Sequence, residues 1–264
     1  MASFAADSWW ENLEKQAQGA GLNVRWVLSR EQVERNFGAA APPQATPRTS
    51  GPGTASPAEI HPDYRRAVLL GSAGRLFWER FRASGDAPPG PEANPLDRFT
   101  ERTVEGLLQS ARVRDPTARA GYPFRHRHQI VPFQAFLGGS ALLRGVPFGV
   151  SVHPRFGPWF AWRAVILLAL EVAPTPLPQE SPCQGCPAPC VGACPAGAVA
   201  REGFDWQSCG TFRLSGATCA EACPARRSCP VGPRYRYGKE QLAYHYRASL
   251  REIEAARATA GHTP

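Results

Sequence analysis

The chain has 264 residues, of which 43% are apolar and 20% charged, and it carries a formal net charge of +8 at pH 7. This composition suffices for one sizeable core or two small ones, and it excludes collagen, a wholly disordered chain and a small disulfide-stapled scaffold. The longest uninterrupted apolar run, residues 164–170, is too short to cross a bilayer. The first residues include Asp7, Glu11 and Glu14 rather than a basic stretch and an apolar region, so we see no secretory signal. We therefore expect a cytoplasmic protein with no membrane partner.

Glycine and proline are frequent, with 25 and 27 residues, which favours a mixed α and β core with many turns over a helical bundle. The positive charge is concentrated in the middle of the chain. Between residues 112 and 163 there are eight arginines and a single acidic residue, Asp115. This stretch could serve an anionic ligand or form a solvated basic face, and the sequence leaves both open.

The N-terminal residues predict a small α and β unit. Residues 8–18 have helical spacing, residues 22–28 are typical of a short strand, and Ser29 with Gln32 forms a capping-box pattern before another helix. Residues 39–57 are mostly Ala, Pro, Thr, Ser and Gly, and they bury too little apolar surface to offset the entropy of ordering. We expect a flexible loop there.

Residues 67–70 predict a buried strand, which is followed by a glycine-containing turn and an amphipathic helix. Gly71 and Gly74 lack the spacing of a phosphate-binding loop, so a plain strand-to-helix turn is favoured over that alternative. Asn94 and Pro95 predict the start of a further helix, because Asn caps helices well and Pro fits the first helical turn.

Two more helices are predicted later in the chain. Residues 132–143 are typical of a buried helix, in which Gly138 and Gly139 permit close packing or a bound ligand. Residues 239–256 place their apolar side chains on one stripe, which predicts a closing amphipathic helix.

The strongest β pattern predicts two apolar strands, residues 146–152 and 159–170, joined by a turn at residues 153–158. Both are apolar at nearly every position, which is typical of a sheet covered on both faces. Alternation in the second strand places Arg163 inside this apolar environment. A buried guanidinium needs an anionic partner, either a carboxylate of the protein or a bound ligand.

All eight cysteines fall in one segment near the C-terminus. Their order is Cys183-x2-Cys186-x3-Cys190-x3-Cys194-Pro195, then Cys209, Cys219-x3-Cys223-Pro224 and Cys229-Pro230. In a cytosolic chain, concentrated thiolates indicate metal binding rather than disulfides. The Cys-Pro pairs and the spacing resemble the bacterial ferredoxin run, whose fourth cysteine binds the other of two [4Fe–4S] clusters. Structural zinc, which also accepts four thiolates, is the alternative.

The crossing pattern of ferredoxins assigns these cysteines to one or two clusters. The first cluster would take Cys183, Cys186, Cys190 and Cys223. The second would take Cys194, Cys209, Cys219 and Cys229. The sequence departs from the ferredoxin spacing by one extra residue before Cys190 and by Gly216, which stands three residues before Cys219 in place of a cysteine.

The turn and strand that begin at His153 closely resemble cobalamin-processing proteins of the cblC type, the decyanases and dealkylases. The residues that carry this resemblance are His153-Pro154-Arg155-Phe156-Gly157-x-Trp159-Phe160-Ala161-x-Arg163. Matches also occur at Asn94-Pro95-Leu96-Asp97 and at Arg236-Tyr237-x-Lys239-Glu240-Gln241-x-Ala243-Tyr244, so the resemblance spans most of the chain in the same order.

The same strand followed by the cysteine segment resembles epoxyqueuosine reductase, a cobalamin and iron–sulfur enzyme that modifies tRNA. That family carries an Asp-x-x-Pro motif with the proposed general acid, whereas the nearest match here is Gln129-x-x-Pro132. Gln cannot donate a proton at pH 7, and no acidic residue occurs between Asp115 and Glu171. The missing acid argues against the tRNA-modifying activity.

Both resemblances imply an α+β fold, with a flavin-nitroreductase-like sheet covered by helices and holding base-off cobalamin, and a ferredoxin-like iron–sulfur module. In the cblC-type family the arginine that matches Arg163 binds the carboxylates of glutathione, so Arg163 is the expected catalytic residue. The expected cofactor-binding residues are His153, Arg155, Phe156, Trp159, Gly138 and Gly139. His126 and His128 are further candidates for a lower cobalt ligand, although a structural role is the commoner one for such histidines.

We therefore expect a cobalamin-binding core at residues 1–180, an iron–sulfur module at 181–232, and a C-terminal helix at 233–264 that packs back on the core. The expected function is a reductase or chaperone that reduces or removes the upper axial ligand of a corrinoid, with electrons from a reductase or ferredoxin entering through the cysteine-bound cluster. The alternatives are a tRNA-modifying enzyme like epoxyqueuosine reductase, a ferredoxin-like carrier that binds no cobalamin, and a zinc protein that binds nucleic acid.

Overall fold

The computed structural model describes residues 4–38, 53–85, 94–124, 129–138, 140, 145–216 and 218–260. The chain divides into two compact units. The first comprises Met1–Ser140 and Phe160–Pro178, and the second comprises Ala141–Trp159 and Gln179–Pro264. Residues 141–159 thus belong to the same unit as all eight cysteines. No helix within the described ranges is long and apolar enough to cross a membrane.

The first unit is built on a four-stranded antiparallel sheet with the order β1-β2-β4-β3. The strands are β1 (Val24–Ser29), β2 (Arg66–Ala73), β3 (Arg119–Gly121) and β4 (Phe160–Leu168). Every residue of β2 after Arg66 is buried, because strands pair with both of its edges and side chains cover both of its faces. The β2–β4 register shifts between Leu70 and Gly71, which bends the strand just before Ser72.

Six helices accompany this sheet in the first unit. They are α1 (Phe4–Gly19), α2 (Arg30–Gly38), α3 (Pro57–Ile60), α4 (Leu76–Ala83), α5 (Pro95–Arg112) and α6 (Phe133–Phe136). The predicted capping box before α2 is confirmed, since the Ser29 amide donates to Gln32 Oε1 at 2.8 Å and the Gln32 amide donates to Ser29 Oγ at 3.3 Å. The helix after Asn94 and the strands near residues 22–28 and 67–70 are confirmed as well.

The second unit has shorter elements, apart from its last helix. They are α7 (Pro189–Gly192), β5 (Val199–Ala200), β6 (Gly203–Phe204), α8 (Trp206–Leu214), α9 (Pro224–Ser228), a 3-10 helix (Pro233–Tyr235) and α10 (Lys239–Ala260). Its core contains Val146, Phe148 and Val152 together with two of the cysteines, Cys190 and Cys229. The thiols are therefore part of the hydrophobic interior of this unit.

The prediction of a strand at residues 146–152 is wrong, because this segment forms turns and irregular structure. Gly149 has a φ of 66°, which a strand cannot accommodate, and Pro147 lacks the amide hydrogen that a strand ladder uses. A Cβ at Gly149 would lie 2.7 Å from the Phe204 ring. The apolar side chains here fill the core of the second unit without pairing as a strand.

Two other predictions are corrected within the first unit. The helix expected at residues 132–143 is reduced to α6, since residues 137, 138 and 140 lie in turns and bends; residues 139 and 141–144 are outside the described ranges. Residues 39–52 of the expected loop are also outside those ranges. Its last residues are ordered, because the Ala55 amide donates to the Ile130 carbonyl at 3.0 Å and Ser56 caps α3.

Candidate metal centre and ligand-binding residues

The first group of thiols consists of Cys183, Cys186, Cys190 and Cys229, which line one pocket in the second unit. Burial, together with the neighbouring thiols of Cys229, Cys186 and Cys190, raises the pKa of Cys183 to about 11. Burial also raises the pKa of Cys229, on which Cys190 and Cys186 act in the same direction. These mutual effects require the four sulfur atoms to lie within electrostatic reach of one another.

The backbone around α7 supplies hydrogen-bond donors to this first group. Ala188 has a left-handed conformation with a φ of 54°, which costs a residue with a Cβ atom on the order of 1–2 kcal/mol. In that conformation its amide donates to Cys186 Sγ at 3.4 Å. An N–H directed at sulfur stabilises a thiolate and tunes a cluster that the thiolate holds. The strain at Ala188 is therefore consistent with a positioning role beside Cys186.

The second group consists of Cys194, Cys209, Cys219 and Cys223. Burial is the main cause that raises the pKa of Cys209 to about 11, a net value to which Arg213 contributes a lowering and the thiols of Cys223, Cys194 and Cys219 contribute a rise. Burial likewise raises the pKa of Cys219, with Cys223 and Cys194 adding to the effect. Cys223 stands at the N-cap of α9, where its Sγ accepts a hydrogen bond from the Arg226 amide at 3.4 Å.

The assignment of cysteines to the two groups corrects one sequence prediction. Cys229 joins the first group and Cys223 joins the second, which is the reverse of the expected exchange. Each group takes three cysteines from one run and the last cysteine of the other run, so that Cys194 and Cys229 are the two that cross. The prediction was wrong because Cys223-Pro224 and Cys229-Pro230 have the same local pattern, and only the fold distinguishes them.

The donor set of each group fits a [4Fe–4S] cluster. Within the described ranges, no three His, Cys, Asp or Glu side chains converge as ligands of a single metal ion. A four-iron cluster has a different ligand requirement, because each thiolate binds its own iron and the four sulfurs surround the cluster. Each of the two groups supplies four thiols and a backbone amide directed at one of its sulfurs, which fits that requirement.

Arg163 lies on β4 in the first unit, and it is only 8% exposed. Its Nε donates to Ser72 Oγ on the neighbouring strand β2 at 2.9 Å, and its guanidinium lies 5.2 Å from the centre of the Phe77 ring. The prediction that this arginine is buried is confirmed. A serine hydroxyl and an aromatic face thus help to hold the guanidinium in place.

His153 closes a tight turn in the second unit, where its backbone and that of Gly157 exchange hydrogen bonds of 3.0 and 2.7 Å. Its Nδ1 accepts hydrogen bonds from the amides of Arg155 and Phe156, at 3.0 and 3.3 Å. Burial, together with the charge of Arg155, lowers the pKa of His153 to about 4. The imidazole is therefore neutral at pH 7, and because Nδ1 accepts hydrogen bonds, the ring proton is on Nε2.

The other expected cofactor residues of the second unit contact aromatic and arginine side chains. Arg155 Nε donates to the Tyr235 hydroxyl at 2.9 Å, and its guanidinium lies over the Phe156 ring. Trp159 is fully buried, with the Arg226 guanidinium 4.9 Å from its ring. Arg226 was missed by the sequence analysis, although it follows the ligand candidate Cys223 by three residues.

Gly138 has a packing role in the first unit. A Cβ on it would lie 2.9 Å from the Asn36 carbonyl on α2, whose side chain donates to the Phe136 carbonyl at 2.6 Å. Close approach of α2 and α6 therefore explains Gly138, which was one of the two alternatives that the sequence left open. Gly139, His126 and His128 lie outside the described residues.

No protein family and no curated protein matches the sequence, but solved structures match the fold. The C. elegans B12-trafficking protein CblC is 15% identical, with 93% of this chain and 95% of that chain covered and a TM-score of 0.50. An epoxyqueuosine reductase with an epoxyqueuosine-modified tRNA-Tyr stem loop is 12% identical, with 90% and 68% covered and a TM-score of 0.57.

A further epoxyqueuosine reductase, from Bacillus subtilis, is 14% identical, with 88% of this chain and 67% of that chain covered and a TM-score of 0.56. That structure has its catalytic aspartate loop swung out of the active site. The present chain thus spans about two thirds of the length of these reductases. The chain has the mixed α and β fold that CblC and epoxyqueuosine reductase share, which confirms the resemblance to both at the level of the fold.

Proposed function

We propose that this protein is an iron–sulfur, cobalamin-binding reductase that reduces or removes the upper axial ligand of a corrinoid. The observation that carries the proposal is the pair of four-thiol groups, in which Cys190, Cys219 and Cys229 are buried, in a chain whose fold matches a B12-trafficking protein over nearly the full length of both. Bound cobalamin would supply the chemistry at cobalt. The protein supplies burial, orientation and a route for electrons.

Reductive release of an anionic upper ligand needs electrons, which an external reductase or ferredoxin would deliver to the cysteine-held clusters. These electrons would go to the bound corrinoid, and its upper ligand would be released as the anion. A nitroreductase-like sheet would hold the corrinoid, and the cysteine segment at residues 181–232 would act as a ferredoxin-like module. Residues 1–180, 181–232 and 233–264 remain the proposed functional divisions of the chain.

Arg163 is the proposed catalytic residue, because it places a buried positive charge on β4 at the position that binds a thiol donor's carboxylates in cblC-type proteins. Its hydrogen bond to Ser72 uses Nε, and a bidentate grip on a carboxylate suits a guanidinium. His153, with Nδ1 held by two backbone amides, is a proposed contact to the corrinoid. Arg155, Phe156 and Trp159 would support the turn that carries it.

A tRNA-modifying activity is the second candidate, since an epoxyqueuosine reductase of the same fold has been solved with a modified tRNA stem loop. The chain carries Gln129 near the position where that family has an acidic residue. Gln129 is exposed and cannot act as a general acid at neutral pH. This residue favours corrinoid processing over tRNA modification.

The deciding experiment is the absorption spectrum of anaerobically purified protein, with iron and sulfide content measured, during titration with a cobalamin. An iron–sulfur band together with a shift of the corrin bands to the base-off form supports the proposal. An iron–sulfur band with unmoved corrin bands would indicate an electron carrier instead. Zinc without iron, together with RNA binding that weakens steeply with salt, would indicate the zinc alternative.

The role of Arg163 is tested by the rate of ligand removal under a fixed electron donor. We expect Arg163→Ala to lower this rate at least about tenfold, the loss of one charged hydrogen bond, and Arg163→Lys to retain more of it. Arg119→Ala on β3 is the matched control, because Arg119 is exposed on the same sheet. Ligand removal by Arg163→Ala at the wild-type rate would defeat the assignment.

A further inference from the structure

Arg213 occupies an unusual position in the second unit. It lies four residues after Cys209 on α8, so the two side chains emerge one turn apart on the same side of the helix. The side chain is only 8% exposed. Since Arg remains protonated in proteins, a full positive charge is fixed in the interior beside the second thiol group.

The contacts of Arg213 with described residues hold the guanidinium, and none of them is with a carboxylate. Its two terminal nitrogens donate to Ser249 Oγ at 3.1 Å and to the Tyr246 carbonyl at 3.0 Å, both on α10. Its central carbon lies 4.9 Å from the centre of the Tyr246 ring. No described residue accepts a hydrogen bond from Nε, which is buried.

A buried donor without an acceptor costs about 1–3 kcal/mol, and an unpaired buried charge costs more. Such a cost persists in a folded protein when an anionic group completes the site. The nearest anionic group available to this side chain is the thiolate-held cluster, because Arg213 acts electrostatically on both Cys209 and Cys219.

Among the described residues, no arginine that acts on the first thiol group is as deeply buried as Arg213. Arg201, which acts on Cys190, is exposed and donates to the Cys186 and Pro187 carbonyls at 3.3 and 3.0 Å. Arg236, half-buried, also acts on Cys229. Solvent and salt screen an exposed charge far more than a buried one, so the electrostatic effect of Arg201 is the weaker.

We propose that Arg213 raises the reduction potential of the cluster held by Cys194, Cys209, Cys219 and Cys223 above that of the cluster held by the first group. This inference rests on the proposed iron–sulfur function. Reduction adds one negative charge, and a fixed positive charge in a low-dielectric interior stabilises it. An electron that enters the second unit then resides on the cluster of the second group at equilibrium.

The test is an anaerobic potentiometric titration followed by electron paramagnetic resonance, in the full-length protein. The Cys219→Ser variant identifies the signal of the second cluster by its loss or change. We expect Arg213→Gln to lower the equilibrium constant for reduction of that cluster at least about tenfold, which is about 59 mV for a one-electron couple. Arg213→Lys, which keeps the charge, should shift it much less.

Arg201→Gln is the matched control at the first cluster, where we expect a shift of less than about threefold because the charge is exposed. Ser249→Ala removes one anchor of Arg213 while keeping its charge, so it separates a loosened α8 from a lost charge. Iron content and circular dichroism are compared for all variants.

The possible outcomes separate the inference from the function on which it rests. Wild-type protein without iron and sulfide overturns the iron–sulfur function itself. Full iron content with an unmoved second potential in Arg213→Gln overturns the role of Arg213. Should Arg213→Gln fail to retain iron, Arg213→Lys decides: a preserved potential supports the charge mechanism, and a tenfold fall with full iron content contradicts it.

Discussion

The two units of the chain obtain their order from different sources. The first unit has strands of up to nine residues and a core of aliphatic and aromatic side chains on both faces of β2 and β4. The second has strands of only two residues and a core that includes Cys190 and Cys229. Burial of each large apolar side chain stabilises the first unit by roughly 1.5–3 kcal/mol. The second unit places thiols in its core, where apolar side chains alone would serve for packing.

On the proposed iron–sulfur function, this contrast means that the second unit would depend on the clusters that its thiols bind. Metal binding to a structural site contributes apparent free energies on the order of 10–16 kcal/mol in small zinc peptides, and this free energy is also folding free energy. When the metal is removed, a unit that is stabilised in this way has little buried apolar surface to keep it folded. The first unit has no such dependence, because none of the cysteines belongs to it.

The largest expected effect follows from removal of iron. Anaerobic chelation should abolish the amide protection of residues 179–232 while leaving β1, β2 and β4 protected, which hydrogen exchange measured by mass spectrometry resolves by segment. Chelated protein that is then reconstituted with iron and sulfide provides the control, and its second unit should regain protection. Equal protection of both units after complete iron removal would contradict the prediction that only the second unit depends on bound iron.

The grouping of cysteines is the next prediction. Because Cys183 and Cys229 belong to one group, serine substitution of either should remove the same cluster signal and about half of the iron, as each [4Fe–4S] cluster takes four thiolates. Cys194→Ser and Cys223→Ser should instead remove the other signal. Electron paramagnetic resonance of the four variants distinguishes this pattern from the reverse exchange, in which Cys223→Ser would match Cys183→Ser.

The regular parts of the first unit are predictable from the sequence because local signals and tertiary packing agree there. Ser29 and Gln32 specify the start of α2 through two mutual hydrogen bonds, and the apolar run after Phe160 forms β4 between two partner strands. Arg163 is buried as its alternation in this strand predicts. In such segments the periodicity of the residues determines what they bury.

The second unit is less predictable because its local patterns are ambiguous. Residues 146–152 are as apolar as a strand, yet Gly149 turns the chain. The pairs Cys223-Pro224 and Cys229-Pro230 are equivalent in sequence, and the groups they join depend on the path of the chain between α9 and the 3-10 helix. The sequence signal for Arg213 is its position four residues after Cys209. This spacing is too common on helices to identify a buried charge.

Gly157 gives a sharper test of how tightly the second unit is packed around its turn. Its φ is 61°, and a Cβ there would lie 2.2 Å from the Val231 carbonyl oxygen. Gly157→Ala should therefore lower the free energy of unfolding by about 3 kcal/mol or more, from backbone strain and overpacking together. Gly216 has a similar φ of 76° with nothing within 4 Å of such a Cβ, so Gly216→Ala should cost only about 1 kcal/mol. Anaerobic denaturation of the two variants measures the difference. Equal losses in the free energy of unfolding would show that the Val231 carbonyl moves away from the added Cβ.

The smallest expected effect concerns protonation of His153. Its pKa in the folded protein is about 4, below the ordinary value near 6.5 of the unfolded chain, so the unfolded state binds more protons between these two values. The stability that the neutral imidazole contributes is then fully present above about pH 6.5 and is lost as the pH falls toward 4. Because the ring is partly exposed, we expect the loss to be only about 1 kcal/mol.

The protonation of His153 can be measured directly from the ring nitrogens by NMR. The ring should stay neutral at pH 5.5, with Nδ1 as the acceptor of the Arg155 and Phe156 amides. In His153→Asn an amide oxygen can accept from the same backbone donors without titrating, so the pH dependence of the second unit should flatten while the turn is kept. Protonation of His153 near pH 6.5 would mean that the turn does not hold the imidazole as described, and the second unit would then be looser around residues 153–157 than around its thiols.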